Sequence, residues 1–253
     1  MTKNMTLIIA AAQSGSVPGD IPGNVAVHLR FGTAAAKCGV HLLVFPELSL
    51  TGYEPALAGS CAVGLDDPRL DSLRQLSEDA NTTVVAGAPV RNSENQLHIT
   101  ALVFRPDGSG LVYTKEYLHS GEEEVFRARD GGRCASRRGY QYWLGHLRGY
   151  ESPAASRRRR GSRGERLRRR RFATGEGLRR GRCAFKQLCF GAQDGRLMSN
   201  HSGPSGGWVS AGKSAIWSED GGLVAASAGT DEGLIVGGKE HGVWKGRVLP
   251  LPS

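Results

Sequence analysis

Residues 41–47 read His41-Leu42-Leu43-Val44-Phe45-Pro46-Glu47. An unbroken apolar run of this length predicts a strand covered on both faces, as in the interior of a parallel sheet. Pro46 cannot donate to a ladder and ends the run. Glu47 therefore stands just past the C-terminal end of a buried strand, the edge where α/β sheets place their ligands.

The same kind of pattern recurs on either side. Leu7–Gln13 (LIIAAAQ) is a second continuous apolar run. Between the two, Asp20-Ile21-Pro22-Gly23-Asn24 predicts a helix start, with an aspartate cap and proline in the first turn. Val25, Leu29, Gly32 and Ala36 recur at helical spacing as its inward face, and Gly39 sits where a C-terminal cap belongs. Asp67-Pro68 opens a second helix with Leu70, Leu73 and Leu76 inward. Thr82–Ala86 and Gln96–Phe104 read as strands, Pro106-Asp107-Gly108 as a turn, and Leu111–Tyr113 as the strand after it. Alternation of strand and helix predicts a layered α/β fold. Past residue 197 the chain reads as short strands between glycine turns: Ser214–Trp217, Leu223–Ala226, Leu234–Val236 and Val248–Leu249.

The chain has 253 residues, 39% apolar and 23% charged. That is enough to bury a core without a disulfide or metal staple. Five cysteines with no C-x-x-C spacing exclude a zinc ribbon, and the odd count argues against a disulfide framework. No apolar run approaches the ~20 residues of a membrane span, so a cytoplasmic protein is expected. Met5–Ala12 behind Lys3 has the outline of a short leader, but a buried first strand accounts for the same letters and is the reading adopted.

The net charge of +9 conceals two unlike parts. Residues 127–196 hold 21 of the 33 cations and 5 of the 24 acids, a local net of +16, and the remainder nets −7. Arg157–Arg160 and Arg168–Arg171 are runs of four. Such a stretch cannot bury apolar surface of its own and should stay solvated and poorly ordered. Clustered arginine can also neutralise phosphates, although aromatic residues hardly interleave with it.

Two residues can do chemistry. Glu47, bracketed by Phe45, Pro46 and Leu48, would lie in an apolar pocket, where desolvation raises a carboxylate's pKa and makes it a usable base. Lys115 follows a strand and is one of twelve cations outside the basic stretch. A solvated glutamate at a loop start and a surface lysine would leave the same letters. Their surroundings decide between these readings. VFPELSLTGYEP (44–55) and YTKEYLHSGEEEVF (113–126) resemble the carbon–nitrogen hydrolase family, the nitrilase superfamily. That family's strand ends in F-P-E-x-x-x-x-G-Y, and its lysine lies in Y-x-K-x-x-L with a further glutamate four residues before a phenylalanine. Glu47, Lys115 and Glu122, four before Phe126, match position by position. GDIPGN (19–24), VVAGAPV (84–90), ALVFRPDG (101–108), SNHSG (199–203), AGKSAIWSEDGGLVAAS (211–227) and EGLIVGG (232–238) are similar to the family as well. The likeness covers about 5–126 and 197–253.

The resemblance implies an α-β-β-α sandwich over 1–253 as a single domain, often paired into homodimers. It also implies hydrolysis of a linear carbon–nitrogen bond in a small molecule, an amide or carbamoyl compound before a nitrile, with no metal or organic cofactor. A cysteine thiolate attacks, Glu47 carries the proton, and the Lys115 ammonium stabilises the oxyanion. Glu122 helps orient the lysine and the attacking water.

The nucleophile is missing. The family's cysteine should fall within His146, Leu147, Arg148, Gly149, Tyr150 and Glu151, which contain none. Cys38 and Cys61 precede the lysine, Cys134 follows it too closely in a Gly/Arg turn, and Cys183 and Cys189 come too late. Residues from about 127 to 190–196 read instead as translated in a shifted frame. Back-translated with GC-rich codons and read one nucleotide later, Phe126–Asp130 can give F-A-P-G-T, the family's continuation. The same shift across Gly145–Arg148 can give A-I-C-A, with the cysteine codon straddling Leu147 and Arg148, and across Glu151–Pro153 it can give S-H-P. Arg157–Arg160 becomes an alanine run suited to a helix.

Two competing classes stay open at this level. One is an Arg-rich nucleic-acid-binding protein on an inactive hydrolase scaffold, if the basic stretch is genuine. The other is an NTPase, because Gly207–Ser214 fits G-x-x-x-x-G-K-S. A phosphate loop needs a helix after it, whereas Ser214–Trp217 reads as a strand. His119, His201 and His241 lack metal-ligand spacing and read as turn or rim residues.

Overall fold

The computed structural model describes residues 7–116, 118–128, 134–137, 140–144, 187–192 and 195–251. The chain runs β1 (Leu7–Gln13), α1 (Ile21–Lys37), β2 (Leu42–Val44), α2 (Asp71–Asp79), β3 (Thr83–Arg91), β4 (Leu97–Phe104) and β5 (Gly110–Thr114). It continues with β6 (Cys134–Arg137), β7 (Tyr140–Leu144), β8 (Gln187–Ala192), β9 (Gly195–Asn200), β10 (Ala215–Trp217), β11 (Leu223–Ala226), β12 (Gly233–Glu240) and β13 (Val243–Pro250).

Two sheets result. The first has seven strands in the order β13-β12-β1-β2-β3-β4-β5, parallel across β1, β2 and β3 and antiparallel elsewhere. The second has six antiparallel strands in the order β11-β10-β9-β8-β7-β6. The period of two along β1 joins the layers. Leu7, Ile9 and Ala11 pack with Leu197 and Ile216 between the sheets, while Ala10 and Ala12 face Phe31 and Ala35 of α1 and Leu73 of α2. The fold is thus the expected mixed α/β sandwich. A helical layer beyond the second sheet has no counterpart among the described residues.

Asp20 caps α1 by accepting from Gly23 N–H at 3.0 Å, and Gly39 follows the helix at φ +64°. The predicted inward face needs correction. The buried stripe is Ile21, Asn24, Val25, His28, Phe31, Gly32 and Ala35, with Leu29 and Ala36 half-buried. Asn24 and His28 go inside because they are bonded there. Asn24 accepts from Val17 N–H at 2.7 Å and donates to the carbonyls of Val17 and Leu50 at 2.8 and 3.0 Å. A Cβ on Gly32 would lie 2.1 Å from Leu76, so the glycine lets the two helices touch. The second helix also opens differently. Asp67 accepts from Arg69 N–H at 2.9 Å, but it caps a 3-10 turn, Pro68–Leu70, from which α2 then continues.

The basic stretch is drawn into the fold at both ends. β6, β7 and β8 belong to the second sheet, so the expectation that all of 127–196 is poorly ordered is corrected there. Cys134 begins β6 and does not lie in a turn. Residues 145–186, with both arginine runs and the Leu147–Arg148 position expected for the nucleophile, lie outside the described residues.

Candidate active site

Glu47 sits where β2 gives way to a tight turn. Phe45 N–H continues the ladder to the Val85 carbonyl at 2.9 Å, Ser49 N–H turns back to the Pro46 carbonyl at 3.2 Å, and Leu50 N–H rejoins the Gly87 carbonyl at 2.9 Å. The turn presses on β3 so closely that a Cβ on Gly87 would stand 2.2 Å from Leu48 N and 2.6 Å from Pro46 O. Leu48 is left-handed at φ +55°, a conformation that costs a non-glycine residue roughly 1–2 kcal/mol and must be held from outside.

One hold comes from α1. Gly87 N–H donates to Ser49 Oγ at 3.1 Å, and Ser49 Oγ meets His28 Nε2 at 3.0 Å. His28 Nδ1 meets the Asn24 carbonyl at 2.7 Å. A carbonyl only accepts, so Nδ1 carries the proton. Burial lowers the pKa of His28 to about 4, in keeping with that chain. His28 also stacks on Phe45 with ring centroids 3.8 Å apart.

Lys115 comes from the far edge of the same sheet, one residue past β5, its N–H on the Ile99 carbonyl at 2.9 Å. Glu122 opens a 3-10 turn after Gly121, which has φ +92°. Glu122 N–H donates to the His119 carbonyl at 3.0 Å, and His119 N–H returns to Glu122 Oε2 at 2.8 Å. The three side chains converge. Lys115 Nζ donates to Glu47 Oε1 at 3.1 Å and to Glu122 Oε1 and Oε2 at 3.0 and 2.9 Å. Glu47 and Glu122 are each 2% exposed and Lys115 8%. An ammonium this deeply buried needs its carboxylates, and they need it.

The two carboxylates titrate apart. Burial pushes Glu47 above the usual carboxylate range, only partly offset by the Lys115 charge. Burial also acts upward on Glu122, but the Lys115 charge and bonds from Tyr53, His119 and Lys115 outweigh it and hold that carboxyl low. Opposed carboxylates in one site are the usual mark of divided acid–base roles.

Two members of the site were not singled out from the sequence. Tyr53 is buried and its hydroxyl donates to Glu122 Oε1 at 2.5 Å. Burial and Glu122 hold that phenol well above its ordinary pKa. His201, read as a turn or rim residue, is buried, and its Nε2 meets the Glu47 carbonyl at 2.8 Å. Tyr53 was visible as part of the G-Y motif. The His201 contact spans 154 positions, and no local pattern announces it. His241 is an exposed hairpin residue.

Other expectations resolve elsewhere. Cys38 lies beside Arg247 at the end of α1, and Cys61 packs in the helix-side core. The phosphate-loop reading is overturned, because Ser214 leads into a strand. Its N–H already donates to Gln13 Oε1 at 2.9 Å and its hydroxyl accepts from Asn200 N–H at 3.0 Å. Among the described residues no group of three or more His, Cys, Asp or Glu could hold a metal, and no helix is long and apolar enough to cross a membrane.

The family model for carbon–nitrogen hydrolases matches residues 8–137. A Pseudomonas protegens protein called "hydrolase in pqqF 5'region" is 27% identical over 239 residues, 92% of this chain and 82% of that protein. Glutamine-dependent NAD(+) synthetase of Mycobacterium tuberculosis is 33% identical over 113 residues, but this chain covers only 16% of its length. Among solved structures, a cysteine-to-alanine mutant of the amidase from Nesterenkonia sp. AN1 in complex with butyramide superposes with TM-score 0.67 at 23% identity. The match covers 97% of this chain and 91% of that one. A further structure of that amidase carries the acetamide moiety of fluoroacetamide on its active site cysteine, with TM-score 0.67, 23% identity, and 97% and 90% of the two chains covered.

Proposed function

The chain belongs to the carbon–nitrogen hydrolase family, and from that premise we propose that it is built to cleave a non-peptide amide or carbamoyl carbon–nitrogen bond, in preference to a nitrile. Glu47 is the proton carrier, Lys115 the oxyanion-stabilising cation, and Glu122 the carboxylate that holds the lysine. The observation that carries this reading is the buried Lys115 ammonium between two carboxylates, 3.1 Å from Glu47 and 2.9 Å from Glu122.

A thiol gives its proton to Glu47, and its sulfur bonds to the carbonyl carbon. The oxygen becomes an anion stabilised by Lys115 Nζ. Glu47, whose burial raises its pKa and makes it a stronger base than an ordinary carboxylate, returns that proton to the departing nitrogen as the carbon–nitrogen bond breaks. Water then gives a proton to Glu47 and attacks the thioester, and the thiol leaves with that proton restored. Glu122, held low, stays ionised throughout and keeps Lys115 aimed.

The sulfur is expected near Leu147 and Arg148 in the shifted frame, a position outside the described residues. We take residues 1–253 as one catalytic domain that works as a homodimer on a small amide.

Ammonia release from a panel of simple amides and nitriles tests the reading, using the protein with its frame restored across 127–196. Release from amides, with nitriles slower, is expected. Nitrile turnover without amide turnover overturns the substrate class. Salt-dependent binding of nucleic acid with no amide turnover overturns the whole reading in favour of a basic binding protein.

A further inference from the structure

Glu47 is held by two different groups at its two ends. Lys115 from the first sheet holds the carboxylate, while the main chain is held from the second sheet. His201 follows directly on β9, and its ring Nε2–H donates to the Glu47 carbonyl oxygen at 2.8 Å. The histidine is itself tied down. Its N–H donates to Asn200 Oδ1 at 2.9 Å, and its carbonyl accepts from Ser210 Oγ at 2.6 Å. Asn200 donates in turn to the Gly212 carbonyl at 2.8 Å. The other ring nitrogen faces Ser16 Oγ, just past β1, at 3.4 Å. None of these anchors belongs to the Glu47 turn.

The peptide that His201 grips joins Glu47 to Leu48, whose φ of +55° a leucine adopts only under constraint. Rotating that peptide swings the Glu47 side chain, because both hang from one Cα. The Ser49–His28 chain secures the return of the turn two residues later and does not bond this peptide.

We infer that His201 is a positioning residue for Glu47: its imidazole N–H pins the constrained Glu47–Leu48 peptide from the second sheet and so fixes the carboxylate against Lys115. This role rests on Glu47 being the base.

The test replaces His201 by Gln, which keeps a long N–H donor, by Leu, which removes it, and by Asn, whose donor is too short to reach. The Glu47 carboxyl is titrated by NMR in the full chain labelled with 13C at glutamate Cδ, the signal being assigned by its loss in Glu47→Gln. The titratable groups facing that carboxyl are Lys115, Glu122, His119 and Tyr53, and all remain in every variant. His201→Leu and His201→Asn should move the Glu47 midpoint by about one pH unit toward the ordinary carboxylate range, since burial is the main cause of its elevation. His201→Gln should hold it near the parent value. In the frame-restored enzyme the same two variants should lose about 100-fold in kcat with KM little changed, and Gln should recover most of it. An unmoved midpoint in a folded Leu or Asn variant overturns the inference, as does an equal shift in all three. The titration needs no turnover, so the outcomes separate. If Glu47→Gln leaves turnover intact, the base assignment fails whatever the titration shows. If it abolishes turnover while His201→Asn changes neither kcat nor midpoint, only the role of His201 fails.

Discussion

Glu47 and Glu122 are chemically identical side chains sharing one ammonium, and their environments separate them. Glu122 collects bonds from Lys115, from the Tyr53 hydroxyl and from the His119 N–H, so its charged form is the favoured one. Glu47 has one side-chain bond among the described residues, from Lys115, and burial dominates. The consequences for stability have opposite signs. A carboxyl whose folded pKa is raised contributes stability below its unfolded value and loses it as pH rises through the folded one. Glu122 contributes above its unfolded value and loses that contribution as pH falls through its depressed folded value. Glu47→Gln removes the first dependence. The melting temperature of this variant should therefore gain on the parent as pH rises from about 4 toward neutrality, measured by thermal unfolding across a pH series. Glu122→Gln should behave oppositely, with its deficit largest at neutral pH. A pH-independent difference for Glu47→Gln would mean that its carboxyl is not raised.

Among the elements, β3 and the turn after β2 depend on one missing side chain. Gly87→Ala puts a methyl carbon 2.2 Å from Leu48 N, so either the strand or the turn must shift. Overpacking of this kind costs roughly 1–3 kcal/mol. Urea unfolding should show that loss, and the frame-restored enzyme should lose activity because the displaced turn carries Glu47. A variant of unchanged stability and activity would show that the turn is not pressed against β3. β1 and β2 were legible as continuous apolar runs, β4 as a strand, and the Glu47 turn as a proline-stopped strand. β12 and β13 run several residues beyond the predicted Leu234–Val236 and Val248–Leu249. Gly237, Gly238, Lys245 and Gly246 carry little strand propensity, and their place in the sheet comes from eight consecutive pairings between the two strands. The inward face of α1 was misread for a related reason. Apolar periodicity passes over Asn24 and His28, whose partners Leu50 and Ser49 lie more than twenty positions away. Within the site, Glu47, Lys115 and Glu122 sit in motifs that carry their roles, whereas the SNHSG segment does not announce the contact of His201 with Glu47, which the stacking of the two sheets creates.

For the whole molecule, the uneven charge and the absent nucleophile have one explanation. We propose a misread frame as that explanation: it would give both the net of +16 within 127–196 on a chain otherwise at −7 and the cysteine-free window at 146–151. The gene's nucleotide sequence and peptide mass spectrometry of the protein from its natural source should yield alanine-rich peptides in place of Arg157–Arg160 and a cysteine in the 147–148 window. Peptides carrying both arginine runs in frame would establish a genuine basic insertion. The account stands on Glu47 as the group that moves the proton, and the most direct measurement is the ammonia-release rate of the frame-restored enzyme beside its Glu47→Gln variant. Loss of general acid–base catalysis predicts a fall of roughly 10²–10⁴-fold in kcat. Turnover unchanged in Glu47→Gln would contradict it.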